Sequence, residues 1–308
     1  VSAFYSASVL LEAGLALTGD TEGWQTQFAL VWELHTLLCR MYFCLGRHKE
    51  CKAIATQVLQ KCSKVSDKIG AYDTLMECCR VEGNISAAFK NGHEILEALG
   101  EPLPKKVSKL CLLREVVLTK NILRTKSTAE LCRLPKAESP QDKAVLKFLG
   151  KMATTFFSNG DVLEYVVTSL RNVRRSVKKG VSKESPKAFA TYGLLLVKLG
   201  SNYEKVDSCR EIALTLGNRV GSGGKAQSLM MTSFALSHLQ RPVEEALDQC
   251  LLGYEIGMGS GEVVAACTCL IAYCTMYIWA GFALNSLEKE IVPFIATCRE
   301  YNQVCNQV

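Results

Sequence analysis

An all-α fold of antiparallel helix pairs, stacked one pair on the next, is what the sequence predicts, and three observations predict it. Sustained alternation of period two, the mark of half-buried strands, is scarce along all 308 residues. Apolar residues instead recur at i, i+3, i+4 and i+7 in segment after segment, which places them on one face of a helix. Turn signals stand at Gly46, Gly83, Gly160, Gly200, the Gln240-Arg241-Pro242 step and Gly281. Their spacing is about 40 residues, with a double interval between Gly83 and Gly160, and periods of that size mark helical-pair repeats. A helical hairpin cannot bury its faces alone, so consecutive pairs stack around a continuous core.

Taken in order, residues 48–62 place Cys51, Ile54, Ala55, Val58 and Cys62 on one face, and residues 84–99 do the same with Ile85, Ala88, Phe89, Gly92, Leu96 and Leu99. From Gly100 to Gln141 the repeat is disturbed. Glu101-Pro102-Leu103-Pro104 precedes a basic helix over about 105–126, then a short piece ends near Leu134-Pro135 before Ser139-Pro140, with proline stopping helices on both sides. The rhythm returns at Leu163, Val166, Val167, Leu170 and Val177. A polar linker is expected from Gly180 to Pro186, ahead of a helix over 188–199. Val206, Cys209, Ala213 and Leu216 form the next face, and Val243, Ala246, Leu247, Cys250 and Tyr254 another. Five or six residues past each turn stands a small or apolar residue (Cys51, Ala88, Val166, Val206, Ala246, Leu287), where the second helix of a pair presses on the first. Pro293 is expected to kink or restart the last helix.

Composition bounds the rest. With 48% apolar and 21% charged residues the chain has ample material for a core and little reason for disorder. Its length exceeds what a single globular core usually reaches, which favours a repeat architecture. We read 1–308 as one continuous helical-repeat domain, with a subdivision into 1–135 and 136–308 at the proline-containing linker. A net charge of +6 spread over the chain is not a nucleic-acid signature. Fifteen cysteines, many on apolar helical stripes, read as core thiols of a reducing cytoplasm rather than a disulfide framework. The start at Val1, with no basic leader, reads as a segment of something longer. Val263 to Leu287 lacks charge and is long enough to span a membrane, but its threonines, cysteines, Asn285 and Gly281 favour a buried helix and its turn.

Several phrases resemble a known region. Asn91-Gly92-His93-Glu94-Ile95-Leu96-Glu97-Ala98-Leu99-Gly100-Glu101-Pro102-Leu103-Pro104 is similar to a G-x-x-x-L-x-x-L-G-x-x-L-P element. That element belongs to the long helical-repeat region that follows the AAA/STAND-type, Orc1-like ATPase module of very large signalling proteins. Glu130-Leu131-Cys132-Arg133-Leu134-Pro135, the passage from Gly180 through Ser185-Pro186-Lys187-Ala188-Phe189-Ala190-Thr191-Tyr192-Gly193, and the Tyr203–Leu214 helix point the same way. The resemblance implies a tetratricopeptide-like, right-handed superhelical arm between an ATPase switch and serine/threonine kinase, histidine kinase or cyclase outputs, none of which lies in these residues.

Chemistry is sparse. Gly221-Ser222-Gly223-Gly224-Lys225-Ala226 fails as a phosphate loop: the first glycine of the spacing falls on Arg219, the hydroxyl position is Ala226, and no strand precedes it. Kinase signatures and Cys-x-x-Cys pairs are missing, and the four histidines have no ligand spacing, so no catalytic residue, metal or cofactor is expected. Trp32, Tyr42, Phe43, Tyr273, Tyr277 and Trp279 read as packing between repeats. One stripe rises above this background. Arg171, Arg174, Arg175, Lys178 and Lys179 are dense like charges beside an apolar face, extended by Lys183 and Lys187; a solvated helix face is the commoner outcome for such a stripe, and the alternative is an anionic partner that relieves their repulsion. The expectation is a non-catalytic interaction and signal-transmitting segment of a larger cytoplasmic regulator, whose partners are protein or domains of the same chain, with no nucleic acid and no membrane. The alternative is a free-standing scaffold that binds a helical or acidic peptide.

Overall fold

The computed structural model of the chain describes residues 2–19, 22–239 and 241–300. Among these, everything regular is helical, apart from one isolated bridge between Lys136 and Val181. Contacts divide the chain into two units, Val1–Pro104 and Lys105–Val308.

The first unit holds α1 (Ser2–Thr18), α2 (Glu22–Thr26), α3 (Phe28–Cys44), α4 (His48–Lys61), α5 (Val65–Val81) and α6 (Ile85–Ala98). Each of α3 to α6 packs on the next, and α1 and α5 also lie against α3. The predicted faces are the buried ones: Cys51, Ala55 and Val58 of α4 and Cys62 just past its end join Val31, Leu38, Cys39, Leu75 and Cys78 in one core. Each large apolar side chain withdrawn from water there contributes about 1.5–3 kcal/mol. Helix α3 ends because Gly46 takes φ +71°, and Arg47 N–H then reaches back to the Tyr42 carbonyl. An L side chain is strained in that conformation, which is why glycine stands there. Gly83, Gly160, Gly200 and Gly281, all predicted turns, share it.

The second unit holds α7 (Lys109–Leu123), α8 (Thr128–Cys132), α9 (Pro140–Asn159), α10 (Val162–Lys179), α11 (Ser185–Lys198), α12 (Tyr203–Val220), α13 (Ser222–Ala235), α14 (Val243–Gly259), α15 (Val263–Trp279) and α16 (Leu284–Glu300). From α9 onward each helix packs on its successor, and α11, α13 and α15 also pack in turn on one another. Between the turns at Gly83 and Gly160 stand α7 and α8, which pack on helices distant in sequence: α7 lies on α10 and α8 on α12. Local chemistry sets their ends. Ser108 caps α7, Ser127 and Glu130 form a reciprocal capping box on α8, and Ser139 caps α9 ahead of Pro140.

Three expectations are revised. The proline-containing segment near residue 135 lies inside the second unit, because Val181 N–H donates to the Pro135 carbonyl at 2.8 Å and Ala137 N–H to the Val181 carbonyl at 3.0 Å. The same pairing draws in the expected polar linker: Val181, Glu184, Ser185 and Pro186 are buried, and Gly180 lies so close to Ala137 that a Cβ would meet its nitrogen at 2.6 Å. Pro293 does not restart the last helix, which runs on through it. The uncharged run near the end is α15 and the turn at Gly281, and among the described residues no helix is long and apolar enough to cross a membrane. The 240–242 break separates a 3-10 turn, Ser237–Leu239, from α14, and Gln240 itself lies outside the described residues.

Candidate functional site

Two basic clusters lie in the second unit, and they differ in what their charges meet. The first is the α10 stripe. Arg171 and Arg174 converge on Glu115 of α7, whose side chain is only 3% exposed. Arg171 donates from Nε at 3.3 Å and from a terminal nitrogen at 3.2 Å to Glu115 Oε1. Arg174 faces Oε2 in an ion pair without a directed hydrogen bond, and donates to the Glu115 carbonyl at 3.2 Å and to Thr119 Oγ1 at 3.0 Å. Arg175 reaches Asp142 Oδ1 of α9 with two nitrogens, at 3.1 and 2.6 Å. The anions expected from a partner are therefore, for these three arginines, carboxylates of the same chain. Lys178 and Lys179 are exposed in the last turn of α10, where cations favour the helix C-terminus.

The second cluster borders a groove of about 410 Å³ built by α7, α8, α11 and α12. Its floor is apolar: Leu131 from α8, Phe189, Tyr192 and Leu196 from α11, and Cys209 and Ile212 from α12 are all buried. Burial pushes the Tyr192 hydroxyl and the Cys209 thiol each up to about 12, further from the neutral range in which both are already uncharged. The hydroxyls of Thr128, Ser201 and Ser208 add polar points along the wall.

Four cations complete the lining, namely Lys120 from α7, Arg124 and Lys126 just beyond it, and Lys205 from α12, and no carboxylate joins them. Lys120, Arg124 and Lys205 are exposed and Lys126 is half-buried. Among the described residues none of the four makes a salt bridge. Lys126 does feel Glu130, whose carboxylate is held on the backbone and hydroxyl of Ser127. Apolar floor and unpaired cationic rim together suit an amphipathic anion that lays its apolar face down and turns carboxylates or phosphates outward.

The extension of the stripe, Lys183 and Lys187, goes elsewhere. Lys187 donates to Thr154 Oγ1 at 2.9 Å and Lys183 reaches Glu262 at 3.2 Å. Between them the Glu184 side chain lies over Gly150, where a Cβ would meet Glu184 Cγ and Oε2 at 2.6 Å. Burial pushes the Glu184 carboxyl up, against the pull of the neighbouring lysines, and pushes the Lys187 amine down, against Glu184. This arrangement holds α11 on α9.

The sequence marks the 105–126 helix as basic without pointing to a role for it. The signal available was its run of cations without interleaved acids toward the C-terminal end, Lys120, Arg124 and Lys126. The Gly221–Ala226 string forms the junction of α12 and α13: Gly221 has φ +109° and a helix starts at Ser222. Among the described residues no group of three or more histidine, cysteine, aspartate or glutamate side chains has the arrangement of a metal site. No protein-family model and no curated protein matches the chain.

Proposed function

We propose that this chain is a non-catalytic helical-repeat interaction segment, and that the groove between α7, α8, α11 and α12 holds an acidic, amphipathic segment of a partner protein or of another domain of the same chain. On the resemblance of its turn phrases to the arms of ATPase-linked regulators, the segment belongs to a larger cytoplasmic signalling protein and passes a change from an ATPase switch to an output module. Tetratricopeptide-like pairs stacked in a right-handed superhelix suit that role, since small rotations between pairs add up along the stack.

The observation that carries the reading is the groove's chemistry: four cations that make no salt bridge among the described residues, around a buried apolar floor. Exposed cations keep their hydration in the free chain and yield it to an acidic ligand on binding, so they contribute to recognition without being needed for folding. The test is fluorescence anisotropy of a labelled helical peptide with leucines at i, i+3, i+4 and i+7 and glutamates elsewhere, against a peptide with lysines in place of the glutamates. The acidic peptide binds, its affinity falls as salt rises, and Lys120→Glu with Arg124→Glu weakens it at least tenfold. Equal binding of both peptides, or no loss in the double variant, refutes the groove.

A further inference from the structure

In the first unit three consecutive helices of the core each place one cysteine at a common point. Cys39 of α3 and Cys78 of α5 both touch Cys51 of α4, with Sγ–Sγ distances of 3.6 and 3.5 Å. Cys51 also donates to the Cys39 carbonyl at 3.2 Å. All three side chains are fully buried or nearly so, and no disulfide joins any described cysteine. A disulfide needs sulfurs about 2.05 Å apart, so either contact closes by a shift of about 1.5 Å.

We propose that Cys39, Cys51 and Cys78 form a peroxide-sensitive modification site in which Cys51 is the shared partner of two alternative disulfides, one tying α4 to α3 and the other tying α4 to α5. The oxidant is hydrogen peroxide, which is scarcely larger than water and suits a site closed to bulkier reagents. A thiolate of Cys39 or Cys78 attacks one peroxide oxygen; the S–O bond forms, the O–O bond breaks, and the departing hydroxide takes a proton to become water. The Cys51 sulfur then attacks the sulfenic sulfur; the S–S bond forms, the S–O bond breaks, and a second water leaves with the Cys51 proton. In sum two thiols are oxidised to one disulfide while peroxide is reduced to two waters. The third thiolate exchanges into the bond at Cys51 and releases the first, a step with no net oxidation. The environment favours this division of roles: the contact with Cys51 draws the Cys39 and Cys78 thiols down, and the same contacts push Cys51 up.

The folded chain is treated with hydrogen peroxide, quenched, alkylated in denaturant and mapped by mass spectrometry. Cys51 is expected in disulfides with Cys39 and with Cys78. Cys39→Ser is expected to leave only the Cys51–Cys78 bond, Cys78→Ser only the Cys39–Cys51 bond, and Cys51→Ser neither. Serine at the exposed Cys44 changes nothing. Reduced Cys51 after peroxide has oxidised Cys44 overturns the proposal, as does a Cys39–Cys78 disulfide in the Cys51→Ser variant. The wild-type map is decisive even where a variant fails to fold.

Discussion

Replacing Glu115 by glutamine removes one negative charge and almost no volume from the contact between α7 and α10, which makes it the sharpest test of how the α10 arginines are used. The carboxylate is 3% exposed, and the side chains of Arg171 and Arg174 are 17% and 16% exposed. Breaking a buried ion pair from one side costs about 3–5 kcal/mol, because the other charge stays behind without its counter-ion. Both arginines keep some contact with water, so the lower end, about 3 kcal/mol, is the figure to expect. In a unit of about 200 residues that corresponds to a fall in Tm of roughly 6–12 °C. Thermal and urea unfolding followed by circular dichroism measure it. Moderate salt is expected to change the loss little, since buried pairs are weakly screened. Glu115→Met combined with Arg171→Met and Arg174→Met separates a stranded charge from a missing bond: with every charge gone, stability returns to within about 1 kcal/mol of wild type. A Glu115→Gln loss under about 0.5 kcal/mol would refute the reasoning and return these arginines to the pool available for an outside anion.

Two further outcomes follow from the packing of the second unit. Burial raises the Glu184 carboxyl, so the folded state holds that proton more tightly than the unfolded one; its contribution is whole below the ordinary carboxylate range and is lost as pH rises through the raised value. Glu184→Gln is therefore expected to gain stability relative to wild type as pH rises above the ordinary carboxylate range, and a difference flat in pH across urea melts would contradict it. Gly257→Ala would set a Cβ 3.0 Å from the Ala266 backbone nitrogen and 2.9 Å from its Cβ; α14 and α15 must part, and a loss of about 1–3 kcal/mol in thermal unfolding is expected despite alanine's better helix propensity.

The helices and their turns were legible because both are written locally. A glycine that must adopt positive φ, followed by a face repeating at 3.6 residues, fixes Gly46 and α4, Gly160 and α10, and Gly200 and α12 without knowledge of any neighbour. Charge use was not legible, because it depends on partners far along the chain. Glu115 stands 56 positions before Arg171, and Asp142 stands 33 before Arg175. Nothing in either neighbourhood announces the pairing, so the stripe on α10 reads as free charge. The 180–186 segment misled for a related reason: Glu184 and Ser185 look like parts of a solvated linker, yet they are buried beside the pairing of Val181 with Pro135 and Ala137. The three touching thiols show both sides. Their burial follows from position on apolar faces, while their meeting follows from how α3, α4 and α5 pack.

The two basic clusters are connected through α7, and the connection gives each a distinct part. Glu115 and Thr119 lie one turn apart on the side of α7 that meets Arg171 and Arg174, with Val116 buried beside them. Lys120 and Arg124, one turn apart on the neighbouring side, line the groove. The ion pairs that fix the rotation of α7 on α10 therefore also fix where two of the four rim cations point. A cation whose counter-ion is built into the same chain stabilises the fold and has little left to offer a ligand; a cation held at a groove rim without one is worth little to the fold and is free to recognise. It follows that Glu115→Gln should weaken an acidic peptide although no atom of Glu115 lines the groove, whereas Lys120→Glu with Arg124→Glu should weaken the same peptide at unchanged Tm. A rim that bound equally well with α7 loosened would mean that the groove owes its shape to α8, α11 and α12.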